Sequence, residues 1–299
     1  MAKYLQQAGH QLTLLLRPSS NLDKLNVLEY RFDIGRCATD DEVDALVKRT
    51  SPDVIIHTAC AYGRQGETPT QILDANVRLG LVTLQASLNS GQPVTFINTG
   101  TVLMSNVSLY ALSKHQFSEW GRTIVQQSQG NLRFVNVQLQ HMYGPGDDGS
   151  KFTTNVLQAC QRNVPELDLT PGDQRRDFIY IDDVVSAYRA LIEQRDQLEA
   201  ACDIEVGSGV APTVREFVET AHRLTSSRTQ LNFGRLQYRS NEPMLCQADI
   251  SQMQKLGWQP RFDMNAGLKK TIELEFNFTT VRLREPSGSQ DRYWAWVRS

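Results

Sequence analysis

Short apolar runs alternate with longer stretches of helical period through the first half of the chain. Leu12-Thr-Leu-Leu-Leu16, Leu28-Glu-Tyr-Arg-Phe-Asp33, Asp53-Val-Ile-Ile-His57, Val94 to Asn98 and Phe134-Val-Asn-Val-Gln-Leu139 read as strands, the near-continuous hydrophobicity being that of strands covered on both faces. Between them, Asp40 to Arg49, Pro69 to Leu88 and Leu109 to Gln127 space their apolar residues three and four apart, which predicts helices. This rhythm is that of an α/β fold with a doubly wound parallel sheet.

The pattern changes near residue 140. A first domain over 1–140 gives way to a mixed region of helices and short strands over 141–275, the expected substrate-binding part, and then to an aperiodic stretch over 276–299 expected to be a poorly ordered tail, with Tyr-Trp-Ala-Trp near its end. Asp182 is expected to cap the helix that follows it, and Thr213-Val-Arg-Glu216 reads as a capping box opening a helix through Leu224.

A nucleotide-binding sheet of this kind opens with a strand and a glycine-rich turn whose amides hold phosphate. Here Met1 is followed at once by Ala-Lys-Tyr-Leu-Gln-Gln-Ala-Gly-His10, which reads as the end of a first helix, so the first strand and the Gly-rich loop are missing. That strand would lie in mid-sheet, and its absence is expected to leave edge groups unpaired. The expectation is a true start about twenty to thirty residues upstream. Gly144-Pro-Gly-Asp-Asp-Gly149 matches Gly-x-Gly-x-x-Gly, but Pro145 has no amide to offer and Asp147 and Asp148 would repel a pyrophosphate.

Composition narrows the function classes. Thirty-one basic and 33 acidic residues in 299, a net charge of -2, provide no field suited to nucleic acid or an anionic membrane. The five cysteines lack Cys-x-x-Cys spacing and the five histidines lack ligand spacing, so no metal site is expected. Scattered thiols and the lack of an apolar stretch near the roughly twenty residues of a membrane helix lead to the expectation of a cytoplasmic protein.

Chemistry concentrates in Ser108-Leu-Tyr-Ala-Leu-Ser-Lys-His-Gln-Phe117. A helix there sets Tyr110 and Lys114 on one face, one turn apart. A tyrosine of ordinary pKa about 10 beside a cation is moved toward proton exchange at neutral pH. Upstream, the strand ending Asn98-Thr-Gly-Thr101 brings a hydroxyl, Thr99, that could bond a substrate oxygen beside Tyr110.

Taken in order, Asp33-Ile34, His57-Thr-Ala-Cys60, Asn76-Val, Thr99, Tyr110-x-x-x-Lys114, Tyr143-Gly-Pro-Gly146 and Arg176-Asp-Phe-Ile-Tyr-Ile-Asp-Asp183 resemble the motifs of the extended short-chain dehydrogenase/reductases. Within these the chain is similar, over roughly Ala2 to Ile272, to the NAD-dependent epimerase/dehydratase family acting on nucleotide-activated sugars. The resemblance implies a Rossmann-like domain, Tyr110 as catalytic acid/base, Thr99 as the hydroxyl positioning the sugar oxygen, and Lys114 as the residue that binds nicotinamide ribose and biases the tyrosine. It further implies that Asp33 and Ile34 flank the adenine, that Thr58, Ala59 and Cys60 line the pyrophosphate and ribose path, and that Asn76 anchors their loop. Arg176 and Arg239 would grip the substrate diphosphate, and His141 stands where many relatives have asparagine in the sugar pocket. Arg17 follows a strand where an acidic residue would bind the ribose hydroxyls of NAD, which with Ser19 and Ser20 suits the 2′-phosphate of NADP; NADP is the expected cofactor and NAD the alternative. A homodimer is implied as well.

Dehydratases of the family carry an Asp-Glu pair directly after the threonine; Gly100 and Thr101 stand here. Reduction and 4-epimerisation share the same triad. The wording around Thr99, Tyr110, His141 and Arg176 resembles the CDP-abequose and CDP-paratose synthases, 4-ketoreductases of surface-polysaccharide sugars, so reduction of a CDP- or other NDP-deoxyhexose is the expected activity. An NDP-sugar 4-epimerase, a truncated, non-catalytic sugar-nucleotide-binding relative and a sensor of NADP status are the alternatives.

Overall fold

The computed structural model describes residues 1–20, 22, 32–128, 130–239, 242–276 and 295–298. Helix α1 (Ala2–Gln7) leads into β1 (Gln11–Leu16), followed by β2 (Asp33–Arg36), α2 (Asp40–Thr50), β3 (Val54–His57), α3 (Pro69–Leu73), a π turn (Asp74–Arg78), α4 (Leu79–Ser90), β4 (Val94–Thr99), α5 (Leu109–Gln127) and β5 (Leu132–Leu139). The chain continues through β6 (His141–Tyr143), α6 (Phe152–Arg162), β7 (Glu166–Leu169), β8 (Arg175–Arg176), β9 (Phe178–Tyr180), α7 (Ile181–Glu193), β10 (Ala201–Val206), α8 (Val214–Leu224), β11 (Gln230–Phe233), β12 (Leu245–Cys246), α9 (Ser251–Lys255), α10 (Met264–Phe276) and β13 (Ala295–Arg298). Two compact units result. One holds Met1–Gln138, Leu191–Ile204 and β13; the other holds Leu139–Ala190 and the chain from Glu205 through α10.

The first unit is built on a seven-stranded sheet in the order β10-β5-β4-β3-β13-β1-β2. β1 with β2, β3 with β4 and β4 with β5 are parallel. The position expected to be empty is occupied. β13 pairs antiparallel with β1 (Leu12 opposite Val297) and with β3 (Ile55 opposite Trp296), so the inner edges of both strands find partners. Backbone groups in mid-sheet have no access to water and must pair, which is what the C-terminal strand provides. Running opposite to its neighbours, β13 begins at the carboxyl end of β3 and finishes opposite Gln11. A phosphate-binding turn needs a strand that leaves at the carboxyl edge, and β13 enters there instead.

Several expectations are corrected. Ala295–Arg298 is a strand and Phe276 belongs to α10, within the stretch expected to be a tail; residues 277–294 and 299 lie outside the described residues. β2 begins at Asp33, and residues 28–31 of the strand expected there also lie outside them. The helix foreseen from Pro69 to Leu88 is broken by the π turn. Asp182 is not a cap: α7 starts at Ile181, and Asp182 sits in its first turn, ion-paired at 2.7 Å with Lys270. The neighbouring Asp183 has the buried role, accepting from the amides of Arg261 and Phe262 at 3.0 Å. Thr213 does open α8 with a capping box to Glu216.

Aromatic packing sets the depth of α5. The Phe117 ring lies 5.9 Å from Phe96 of β4 and 5.8 Å from Phe134 of β5, and Phe96 and Phe134 stack at 5.8 Å. All three are fully buried. Contact at this range demands a glycine at 121, where a Cβ would come within 2.3 Å of the Phe134 ring. In the second unit Phe178 and Phe217 stack at 4.3 Å, and the buried Asp177 carboxylate accepts from the amides of Ser208, Gly209 and Ala248 at 2.6–3.1 Å, fixing that loop cluster.

Removing residues 295–299 should expose the inner edges of β1 and β3, raising hydrogen–deuterium uptake at Leu12, Thr13 and Ile55 relative to the full chain. Unchanged uptake would show that β13 does not occupy that position.

Candidate active site

Tyr110 and Lys114 stand four residues apart in the first two turns of α5, which starts at Leu109 because Ser108 caps it, its Oγ accepting from the Ala111 amide at 3.1 Å. Serine is a strong cap. Tyr110 is half-buried, its ring 4.9 Å from that of Tyr62. Lys114 is only 2% exposed. Four-residue spacing keeps the two side chains on one helix face. Thr99 ends β4, half-buried, and the connection to α5 is tied down by the His115 ring, whose Nε2 lies 2.7 Å from the Leu103 carbonyl.

Asn76 locks the loop after β3 against this helix. Its Oδ1 accepts from the Ala61 amide at 2.5 Å, and its Nδ2 donates to the Ala61 carbonyl at 2.9 Å and to Ser113 Oγ at 2.8 Å. Ser113 belongs to α5, between the tyrosine and the lysine. Thr58, Ala59 and Cys60 are thereby held beside the helix start, with Ala59 buried. The π turn that contains Asn76 is what re-aims it; such turns collect at functional positions, and no residue pattern announced this one.

At the far side of the sheet, Arg17 follows the carboxyl end of β1 and is exposed. The structure separates it from Asp33 and Ile34. These open β2 opposite Thr13 and Leu14, three and two positions before the end of β1, and Asp33 is engaged by Thr13 Oγ1 at 3.2 Å and Arg49 at 3.3 Å. Open α/β sheets bind ligands at their carboxyl edge. Arg36 is the β2 residue that reaches it, donating to the carbonyls of Arg17, Pro18 and Ser20 and so shaping the loop that carries Arg17. Sequence reasoning missed Arg36, although a basic residue closing a strand, as Arg17 does, was the available signal.

Among the residues expected to bind substrate, the second unit brings His141 and Arg176 together. Burial, and after it the Arg176 charge, push the His141 imidazole down to about 4, so it is neutral at physiological pH. The ring meets Phe178 edge-on at 6.1 Å. Arg176 is buried, donating to the Arg175 carbonyl at 2.8 Å and ion-paired to Glu242, a partner the sequence did not suggest. Arg239 is exposed and enters the same group through the backbone, its carbonyl accepting from the Glu242 amide at 3.0 Å. In the Gly144–Gly149 segment Asp147 pairs with Lys151 at 2.8 Å, and the Gly146 amide donates to Glu275 at 2.5 Å.

Nicotinamide and ribose suit the first unit's arrangement, a buried ammonium and a clamped strand-end loop beside a tyrosine. A glycine-rich turn for the pyrophosphate is not among the described residues. No helix among them is long and apolar enough to cross a membrane.

The chain is 29% identical over 78% of its length to a CDP-abequose synthase of Salmonella typhimurium, covering 81% of that protein. It is 31% identical over 74% of its length to the CDP-abequose synthase of Salmonella muenchen, covering 76% of it. In structure it superposes on a UDP-glucose 4-epimerase of Thermotoga maritima solved with UDP-glucose, with a TM-score of 0.79 at 19% identity, covering 93% of this chain and 94% of the other, a likeness of fold. Residues 1–207 match the model of the NAD dependent epimerase/dehydratase family, and the chain belongs to that family of NAD(P)-dependent nucleotide-sugar enzymes.

Proposed function

We propose that the protein is an NADPH-dependent 4-ketoreductase acting on a CDP-deoxyhexose, or a closely related NDP-deoxyhexose, in surface-polysaccharide synthesis. The observation that carries this reading is the 2%-exposed ammonium of Lys114 one helical turn from Tyr110. Similarity to two CDP-abequose synthases supports the CDP-sugar part of this reading.

Bound at this site, the cofactor would supply a hydride to the sugar C4. Lys114 holds the ribose hydroxyls, and its charge favours the phenolate form of Tyr110. Thr99 donates a hydrogen bond to the C4 oxygen and orients it. The Tyr110 hydroxyl gives its proton to that oxygen as the carbonyl becomes an alcohol. Thr58, Ala59 and Cys60 line the ribose path, their loop clamped by Asn76. Arg17, on a loop shaped by Arg36, takes the 2′-phosphate. Arg176 and Arg239 hold the diphosphate, since planar guanidinium groups match phosphate oxygens, and the neutral His141 lies beside the sugar. Asp33 and Ile34, on β2, would flank the adenine.

A second reading, a protein that binds the sugar nucleotide without turning it over, is favoured by the antiparallel course of β13 in mid-sheet. Titration with NADPH followed by nicotinamide fluorescence separates the two: saturable binding supports the reductase, and none supports the binding protein.

Tyr110→Phe should lower kcat by about 10²–10⁴-fold, the usual contribution of a positioned proton donor, while NADPH binding persists. Substantial remaining turnover would identify a different donor. Arg17→Asp should move the NADPH-over-NADH preference toward NADH by at least about tenfold, which is about 1.4 kcal/mol; an unmoved ratio would place the 2′-phosphate elsewhere. The folded-state value of His141 lies below that of the unfolded chain, so the unfolded chain takes up the proton first as pH falls. The stability this histidine contributes is therefore present above about pH 6.5 and lost toward about 4. His141→Asn should flatten the fall of the thermal midpoint across that window.

A further inference from the structure

Three parallel strands carry a polar row through the middle of a hydrocarbon core. His57 of β3 pairs in register with Asn98 of β4, and Asn98 with Asn136 of β5. The three are 0%, 0% and 5% exposed. Their side chains bond in sequence: His57 Nδ1 to Asn98 Oδ1 at 2.9 Å, Asn98 Nδ2 to Asn136 Oδ1 at 2.8 Å, and Asn136 Nδ2 to Asp203 Oδ1 of β10 at 2.6 Å. Arg122 of α5 grips both Asp203 oxygens, at 2.9 and 2.7 Å. Burying such groups is costly unless every one is satisfied. The backbone also yields space to the row, because a Cβ on Gly100 would come within 2.6 Å of Asn136 Oδ1.

Such a row has a direction. A carboxylate only accepts, so Asn136 must turn its amide nitrogen to Asp203 and its oxygen to Asn98. Asn98 must then turn its nitrogen to Asn136 and its oxygen to His57. That oxygen can only be met by an N–H, so the proton of the imidazole resides on Nδ1 and Nε2 bears a lone pair. Burial first, and then the charge of Lys114, hold the ring's pKa well below its ordinary value. The ring packs directly beneath the helix of the candidate acid/base pair, 4.9 Å from Phe117, which lies three residues after Lys114 on the same face.

We propose that Asp203, through Asn136 and Asn98, holds His57 as its Nδ1–H tautomer, and that this fixed imidazole is coupled through its field to the charge of Lys114, the partner of Tyr110 on the helix packed against it. His57 is then a positioning residue acting through Lys114. Its catalytic meaning rests on the reductase reading; the tautomer and its coupling to the lysine do not.

Two-bond ¹H–¹⁵N spectra of ¹⁵N-histidine-labelled full-length protein test this, with His57 assigned by its loss in His57→Gln. The wild type should show Nδ1–H at pH 7. Asp203→Asn, whose amide can donate as well as accept, frees the row to reverse and should bring in the Nε2–H form, whereas Arg122→Met, which keeps the carboxylate, should not. Lys114→Met removes the neighbouring charge and should raise the pH at which His57 protonates. In the active enzyme, Asp203→Asn should also lower kcat about 10- to 100-fold, the range typical of outer-shell partners, and displace the acid limb of its pH profile with little change in KM. An Nε2–H or doubly protonated His57 in the wild type, a tautomer indifferent to Asp203→Asn, or a titration indifferent to Lys114→Met would each overturn the proposal. If Asp203→Asn does not fold, the wild-type tautomer and the Lys114→Met titration still decide. A chain without turnover whose spectra behave as stated would defeat the reductase reading alone.

Discussion

A lysine ammonium withdrawn almost completely from water is the feature that the rest of the first unit answers to. A buried cation is costly unless its surroundings compensate it. Lys114 cannot move outward, because α5 is pinned by the packing of Phe117 against Phe96 and Phe134 and by the glycine that lets the helix approach. Nor can the loop above it drift, since Asn76 ties Ala61 to Ser113 of the same helix. Packing and hydrogen bonding therefore converge on one helix turn, which is the rigidity an acid/base pair requires.

The sheet shows a different constraint. Its middle position must be filled, because β1 and β3 would otherwise each leave a row of backbone groups unpaired within the structure. An antiparallel C-terminal strand meets that demand as well as a parallel one would for hydrogen bonding. It does not meet the functional demand, because direction decides whether a turn at the carboxyl edge can present amides to phosphate. Pairing and phosphate binding are thus separable properties of one position in the sheet.

The second unit carries its charges more economically. Arg176 is buried against Glu242, and its field joins desolvation in keeping His141 neutral. An anionic group arriving at Arg176 would compete with Glu242 for the guanidinium.

Much was legible in the amino-acid order because it depends on local periodicity. Leu109–Gln127, β1, β3, β4, the capping box at Thr213 and the spacing of Tyr110 and Lys114 follow from rules that act over a few residues. What tertiary structure decided was everything that depends on distant partners. The π turn at Asn76 arises where the helix must aim an amide at a loop fifteen positions back. Asp183 rather than Asp182 became the buried carboxylate because amides at 261 and 262 reach it. The strand at 295–298 exists because an open position in the sheet recruits it, not because its own pattern compels it. The alignment of His57, Asn98, Asn136 and Asp203 likewise belongs to strand register, since residues drawn from four separate runs become neighbours only once the sheet is formed.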